Sequence, residues 1–396
     1  MKAIMYGAGN IGRGFIGALL SNIGYEVVFV DVNDDVVNQM NKDHSYPQEI
    51  VGENPKTNLI QNIRAIDGKD ADLVSNEIAT ADLLATSVGV SVLEKIVPIL
   101  SEGLVKRWDM NPDNSIDLLI CENLMDADKI LYRWIKEALP DKFKENMDQH
   151  LGLVETSIGR MVPIMTEEMK KGDPLRICVE EYDYLPVNKS AFITSIPSYE
   201  KIVPYDPFKF YLERKLYIHN MGHCMTAFLG KLKGYTYIDE AICDLAIRKL
   251  VEGAMIESAM AISKKYQVPF DELKAHIDDL LRRFQNKYLG DTIERVGREP
   301  LRKLQPKDRL VGAARNCEAQ GILPLHLSLA IACGLFHETA KSPVSLLNEV
   351  CIIKESEDLG KNILSLFDLI QKNRKNIESF IPFIDIMYFD SRGFIC

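Results

Sequence analysis

Short apolar runs alternate with stretches of helical spacing through the first third of the chain. Lys2–Tyr6, Glu26–Val30, Leu83–Ser87, Leu118–Cys121 and Leu153–Ser157 are apolar runs of strand length. The segment from Ile11 to Ile23 has helical periodicity, and Ser91–Leu104 and Asp126–Ala138 read as further crossover helices. Strands separated by helices predict βαβ units, and therefore an α/β fold with a Rossmann-type, doubly wound parallel sheet. After about Val162 the pattern changes. Residues 170 to 205 are rich in Pro, Tyr and Ser with short β-like runs, Arg176–Glu180 and Ser190–Ile196, and from Asp206 onward the chain reads almost wholly helical. The shift predicts a domain boundary between 190 and 205, giving a first domain over 1–200 and a mainly helical one over 201–396.

Composition supports this division. A chain of 396 residues exceeds the usual size of one hydrophobic core. With 46% hydrophobic and 26% charged residues it is an ordinary globular sequence, neither disordered nor coiled-coil. The net charge of -10 argues against a nucleic-acid or anionic-membrane surface, either of which needs a clustered basic excess. No apolar run approaches the roughly 20 residues that span a bilayer. Cysteines at 121, 178, 224, 243, 317, 333, 351 and 396 form no C-x-x-C pair and read as buried thiols in a reducing compartment. The opening residues enter a strand at once, with no room for a signal peptide, so a cytoplasmic location is expected.

Gly7-Ala8-Gly9-Asn10-Ile11-Gly12 fits G-x-G-x-x-G, with Gly14 after it. The first glycine allows the tight turn, the second lets a pyrophosphate approach the backbone, and the third allows close packing of helix on strand. The motif follows one strand run and opens a helix, and a second strand run ends in Asp31, about 20 residues on. A carboxylate there accepts from the adenine ribose hydroxyls and repels a 2′-phosphate, which favours NAD over NADP. The alternative is a glycine turn without a ligand. Thr86-Ser87-Val88-Gly89 and Cys121-Glu122-Asn123 end further strand runs, where open α/β sheets bind ligands. Asn123 can donate to an oxygen that gains negative charge, or cap the following helix.

The helical pattern from Asp206 to Gly230 contains Lys215, Asn220 and His223. Taking Lys215 as zero and roughly 100° per residue, His223 falls near roughly 80° and Asn220 near roughly 140°, opposite a stripe of Tyr217, Ile218, Met221, Met225 and Phe228. Such a face is either solvated or turned toward a cleft. Leu212 and Leu216 on the same arc, and the lack of acidic residues from Lys215 to Lys231, point to a cleft. His219 and His223 have the i, i+4 spacing of a zinc pair, but no third ligand stands at a recognisable spacing, so no metal site is expected.

These residues carry a resemblance. Lys2-Ala3, the run Gly7 through Gly17, Phe29-Val30-Asp31-Val32-Asn33, Cys121-Glu122-Asn123, Arg160-Met161-Val162-Pro163 and Lys215-x-x-x-x-Asn220-x-x-His223 are similar to the mannitol-1-phosphate 5-dehydrogenases of the mannitol dehydrogenase family, the polyol-specific long-chain dehydrogenases. So is the run Arg295 to Leu304 followed by Asp308-Arg309-Leu310. The likeness runs from residue 1 to about 340. It departs at Gly159, where an acidic residue is expected, and beyond about 355.

The resemblance implies metal-independent hydride transfer between NAD and a small polyol, interconverting D-mannitol 1-phosphate and D-fructose 6-phosphate. Lys215 would be the general acid/base, Asn123 and Asn220 would hold the developing alkoxide, and His223 would position a neighbouring hydroxyl. It also implies cofactor contacts along Ala3, Gly7, Ala8, Gly9, Asn10, Ile11, Gly12, Arg13, Gly14, Asp31, Asn33, Ser87, Val88 and Gly89. Residues 291 to 309 hold six basic and four acidic side chains, so Arg295, Arg298, Arg302 and Lys303 are candidates for a substrate phosphate, against the alternative of surface ion pairs. A reductase of non-phosphorylated hexitols or hexuronates, and an NAD-binding sensor without turnover, are the other readings. The expected partner is a small molecule, with no nucleic acid and no membrane, and the expected assembly a monomer or homodimer.

Overall fold

The computed structural model describes residues 1–338 and 341–391. The chain divides into two compact units, Met1–Tyr211 and Leu212–Cys396.

The first unit contains eleven strands. They are β1 (Lys2–Tyr6), β2 (Glu26–Asp31), β3 (Tyr46–Ile50), β4 (Lys56–Ile60), β5 (Ile63–Asp67), β6 (Leu83–Thr86), β7 (Ile116–Ile120), β8 (Leu151–Glu155), β9 (Ile177–Val179), β10 (Leu185–Asn188) and β11 (Ile202–Tyr205). Six form one parallel sheet in the order β5-β2-β1-β6-β7-β8. This is the doubly wound arrangement expected, and the strand order reverses between β1 and β6. Alternate residues of each strand enter cores on opposite faces. Ala3, Met5, Val27, Phe29 and Ala85 face one side, and Ile4, Tyr6, Val28, Val30 and Leu84 the other. Burial on both sides is why these strands read as continuous apolar runs.

Several elements differ from the expectation. The sequence of β5, Ile-Arg-Ala-Ile-Asp, is no apolar run because it is a sheet edge, where Arg64 reaches Glu26 and Glu77 at 2.7 and 2.8 Å. The hairpin β3–β4 also escapes the pattern, since β4 is exposed except at Ile60. Ser190–Ile196, expected to be β-like, is no strand and begins inside a 3-10 turn at Lys189–Ala191. Its following N–H groups, of Ile193 and Thr194, donate to the buried Asp117 carboxylate at 2.9 and 3.1 Å, in place of a strand partner. That buried acid lies inside β7, so the strand begins before the apolar run expected from Leu118.

The second unit is helical. Leu245–Tyr266 is capped by Asp244, which accepts from the amides of Ala246 and Ile247, and packs against Met221–Lys233, Phe270–Phe284, Val311–Ala319 and Leu325–His337. Among the described cysteines all are unpaired thiols and all but Cys243 are buried. Cys243 is exposed because it follows Ala241 and Ile242, the buried face of the helix Ile238–Cys243. Cys396 lies outside the described residues. Among the described residues no helix is long and apolar enough to cross a membrane.

Candidate active site

The glycine turn is built by contacts that admit nothing larger. Gly7 follows β1 with φ of 92°, and a side chain there would start 2.5 Å from the carbonyl oxygen of Ser87. A side chain at Gly12 would start 1.9 Å from the carbonyl oxygen of Gly7, so the helix sits directly on the turn. Gly9 differs. No protein atom lies within 4 Å of where its side chain would begin, so the backbone is open to approach on that side. The Asp31 carboxylate, at the end of β2, accepts from the Ala8 amide at 2.7 Å and the Asn33 amide at 3.0 Å. Each carboxylate oxygen has a second lone pair, so a ribose hydroxyl can still be met. Beside the turn, the buried Ser87 hydroxyl has no hydrogen-bond partner among the described residues. An open glycine, an acid at the second strand and an orphaned hydroxyl fit a dinucleotide.

Other expected cofactor contacts have different placements. Ala3 is wholly buried inside β1. Arg13 turns inward and donates to the carbonyls of Ala8 and Leu175 at 2.7 and 2.6 Å. Asn10 donates to the Pro163 carbonyl at 3.1 Å, and the Asn33 side chain caps the helix Asp34–Asp43. The amides of Val88 and Gly89 donate to the Glu122 carboxylate at 2.8 and 2.9 Å. Asn123 is exposed in the loop after β7, and the next helix starts at Ala127, with Asp126 in the capping position.

In the second unit, Lys215, Asn220 and His223 stand on one run of helix that is not regular. Lys209–Arg214 is α-helical, Lys215–Asn220 is a π turn, and Met221–Lys233 is α-helical again. This corrects the projection made at a uniform α pitch. An i→i+5 ladder advances by roughly 80° per residue, which moves Asn220 to within roughly 50° of Lys215 and His223 to nearly the same bearing as Lys215. Wide π turns of this kind are frequent at functional sites. The expected core stripe, Tyr217, Ile218, Met221, Met225 and Phe228, is buried. Lys215 is half-buried. Burial lowers its ammonium to about 8, and the nearby Arg309 charge acts in the same direction.

His223 donates from Nε2 to Asp291 Oδ2 at 2.9 Å and stacks on Phe284, with ring centroids 4.9 Å apart. Burial would raise the Asp291 carboxyl, but His223 and Arg295 outweigh it and hold the group below the usual range. His219 is buried and kept far below the ordinary histidine value, first by burial and then by the charge of Arg283. Its ring centroid lies 6.3 Å from that of His223, and among the described residues no three His, Cys, Asp or Glu side chains are grouped to hold a metal. In the sequence Asp291 stands out only as one of the acids of the 291–309 strip. No local spacing links it to His223.

That strip is closely internally paired. Arg295 donates to Asp291 at 2.8 Å, Arg309 to Asp308 at 2.8 Å, and Arg302 lies 3.3 Å from Asp308. Lys303 is buried, with its ammonium donating to the carbonyls of Val296 and Arg298. Arg298 is 71% exposed, its nearest carboxylate Glu299 at 3.9 Å, and Glu299 itself takes the left-handed φ of 56° that turns the chain before Pro300.

The mannitol dehydrogenase Rossmann domain matches residues 1–201, and the mannitol dehydrogenase C-terminal domain matches residues 208–345. The chain belongs to the mannitol dehydrogenase family. Among solved structures it is similar to a Pseudomonas fluorescens mannitol 2-dehydrogenase, crystallised as a ternary complex with NAD and D-mannitol, at 13% identity and a TM-score of 0.76, covering 96% of this chain and 94% of that one. A D-sorbitol dehydrogenase in substrate-free form matches at 14% identity and 0.79, covering 95% and 94%. At these identities the likeness is one of fold. The family match also frames the two departures. A side chain at Gly159 would start 3.1 Å from the Tyr182 ring, so an acidic residue there would require that ring to shift. Beyond residue 345 the chain continues in the helices Asp358–Asn373 and Phe380–Ser391, and Tyr388 of the second donates to the buried Glu257.

Proposed function

We propose that this mannitol dehydrogenase family member is an NAD-dependent oxidoreductase interconverting D-mannitol 1-phosphate and D-fructose 6-phosphate, without a metal. The observation that carries the reading is a half-buried lysine, lowered to about 8, sharing a narrow arc with Asn220 and His223. A lysine poised there can exchange a proton in either direction near neutral pH. Residues of the glycine turn, Asp31 and Ser87 would hold NAD, which when bound takes up or returns the hydride. In oxidation the neutral Lys215 Nζ takes the hydroxyl proton, and in reduction its ammonium returns it. The Asn220 amide donates to the same oxygen while it carries charge, a contact worth most where the donor is already in place. Asn123 is given the same task on the resemblance, and His223 meets a neighbouring hydroxyl.

Arg298, exposed on the turn before Pro300, is the preferred phosphate contact. The pairing of Arg295, Arg302 and Arg309 with their own acids favours a second reading, a free hexitol or hexuronate as substrate. Steady-state assays with NADH and D-fructose 6-phosphate, D-fructose or a ketohexuronate, before and after prolonged chelation, separate these. The phosphorylated ketose should give the highest kcat/KM, unchanged by chelation. A higher value for either free substrate would move the assignment to the second reading, and loss of activity on chelation would end the metal-free mechanism.

A further inference from the structure

We infer that Asp291 is a positioning residue, which determines that His223 presents Nδ1, as a hydrogen-bond acceptor, to the substrate. The ring of His223 is held in two directions. Phe284 stacks on its face with an interplanar angle of 16°, which sets the ring plane, and Asp291 binds Nε2, which sets its rotation within that plane. The carboxylate is itself anchored. Its Oδ1 accepts from Arg295 Nε at 2.8 Å, and its backbone carbonyl accepts from the Ile238 amide at 2.9 Å. An ionised carboxylate only accepts, so Nε2 must carry the hydrogen and a neutral ring has its lone pair on Nδ1. A hydroxyl of the substrate then donates to His223, which orients that hydroxyl's own lone pairs elsewhere. The substrate role rests on the polyol oxidoreductase reading; the state of the ring does not.

Asp291→Asn tests both parts with little change of shape. Arg295 still needs an acceptor, so the new amide keeps its oxygen toward Arg295 and turns its NH2 toward His223. Nε2 then has to accept, and the ring hydrogen moves to Nδ1. The same isosteric change at the acid of a serine protease triad keeps the geometry while selecting the wrong tautomer.

Long-range proton–nitrogen NMR of the wild-type protein should show His223 protonated on Nε2, and Asp291→Asn should show it on Nδ1. With NADH, the KM of the variant for the ketose that the wild type reduces, D-fructose 6-phosphate or D-fructose, should rise about three- to tenfold, the scale of one neutral hydrogen bond. kcat should change less, NADH affinity should stay unchanged, and Tm should fall modestly, because Arg295 exchanges a charged acceptor for a neutral one. A wild-type ring protonated on Nδ1, or a variant with unchanged tautomer and KM, would overturn the inference. So would a variant whose NADH affinity falls together with its affinity for the ketose, since that marks a structural role. If the wild type reduces neither ketose, the polyol reading fails, while the NMR result still decides the role of Asp291 toward the ring.

Discussion

Lys215→Met should leave the protein more stable and almost inactive. The ammonium is lowered from 10.5 to about 8, first by burial and then by Arg309. Each unit corresponds to about 1.4 kcal/mol between the two protonation states, so the folded protein bears a cost of up to about 3 kcal/mol for carrying this charge at pH 7. The folded value lies below the unfolded one. Under about pH 8 both states are protonated and the cost is present in full; between 8 and 10.5 only the unfolded state keeps the proton, and the cost fades. Methionine fills a volume close to the lysine stem and needs no charge in the same place. Urea unfolding at pH 7 should therefore favour the variant, and the gain should shrink by pH 10. Turnover should fall by about 10²- to 10⁴-fold, the usual contribution of a positioned acid or base. In the wild type, oxidation should gain rate as pH rises through about 8, and reduction should lose it. A variant that is less stable at pH 7 by the same margin as at pH 10 would refute the burial argument, and retained turnover would refute the proton-transfer role.

Asp31→Ala should weaken NADH binding and raise kcat/KM for NADPH relative to NADH by about tenfold or more, through loss of a ribose acceptor and of repulsion toward a 2′-phosphate; a wild type that already prefers NADPH would contradict this. Arg298→Ala should raise KM for D-fructose 6-phosphate with Tm unchanged, whereas Lys303→Ala should lower Tm and affect free and phosphorylated ketoses alike, because its ammonium ties two backbone carbonyls. Equal kinetic effects of Arg298→Ala on both ketoses would remove it from a phosphate site. Tyr388→Phe removes one donor from the buried Glu257, which keeps the His326 and Leu327 amides, and should cost about 1–3 kcal/mol in urea unfolding. No change would mean that the C-terminal helix is not fastened there.

The parallel sheet and the glycine turn were legible in the linear chain because each depends on neighbours in sequence. β1, β2, β6, β7 and β8 are buried on both faces, so their inner positions are apolar apart from Asp117 in β7, and each run stands out. The turn needs glycines at set intervals before a helix, and Asp31 needs only to end the next strand. The edge strand β5 was not legible, because an edge is partly wet and its side chains mix with charge. Nor was the end of Ser190–Ile196, whose amides are taken by an acid from β7.

By itself the sequence determined the fold class, the dinucleotide-type turn and the helix that bears Lys215, Asn220 and His223. Tertiary structure decided how those three residues share an arc, through a π turn that periodicity at an α pitch cannot register. It also decided which basic residues of the 291–309 strip are already paired, and which acid holds His223. Helical spacing reports contacts three or four residues apart, where backbone geometry places side chains together. The pairing of His223 with Asp291 depends on helices packed from distant parts of the chain, and the lowered charge of Lys215 depends on how much water that packing removes. Neither quantity exists until the second unit has folded.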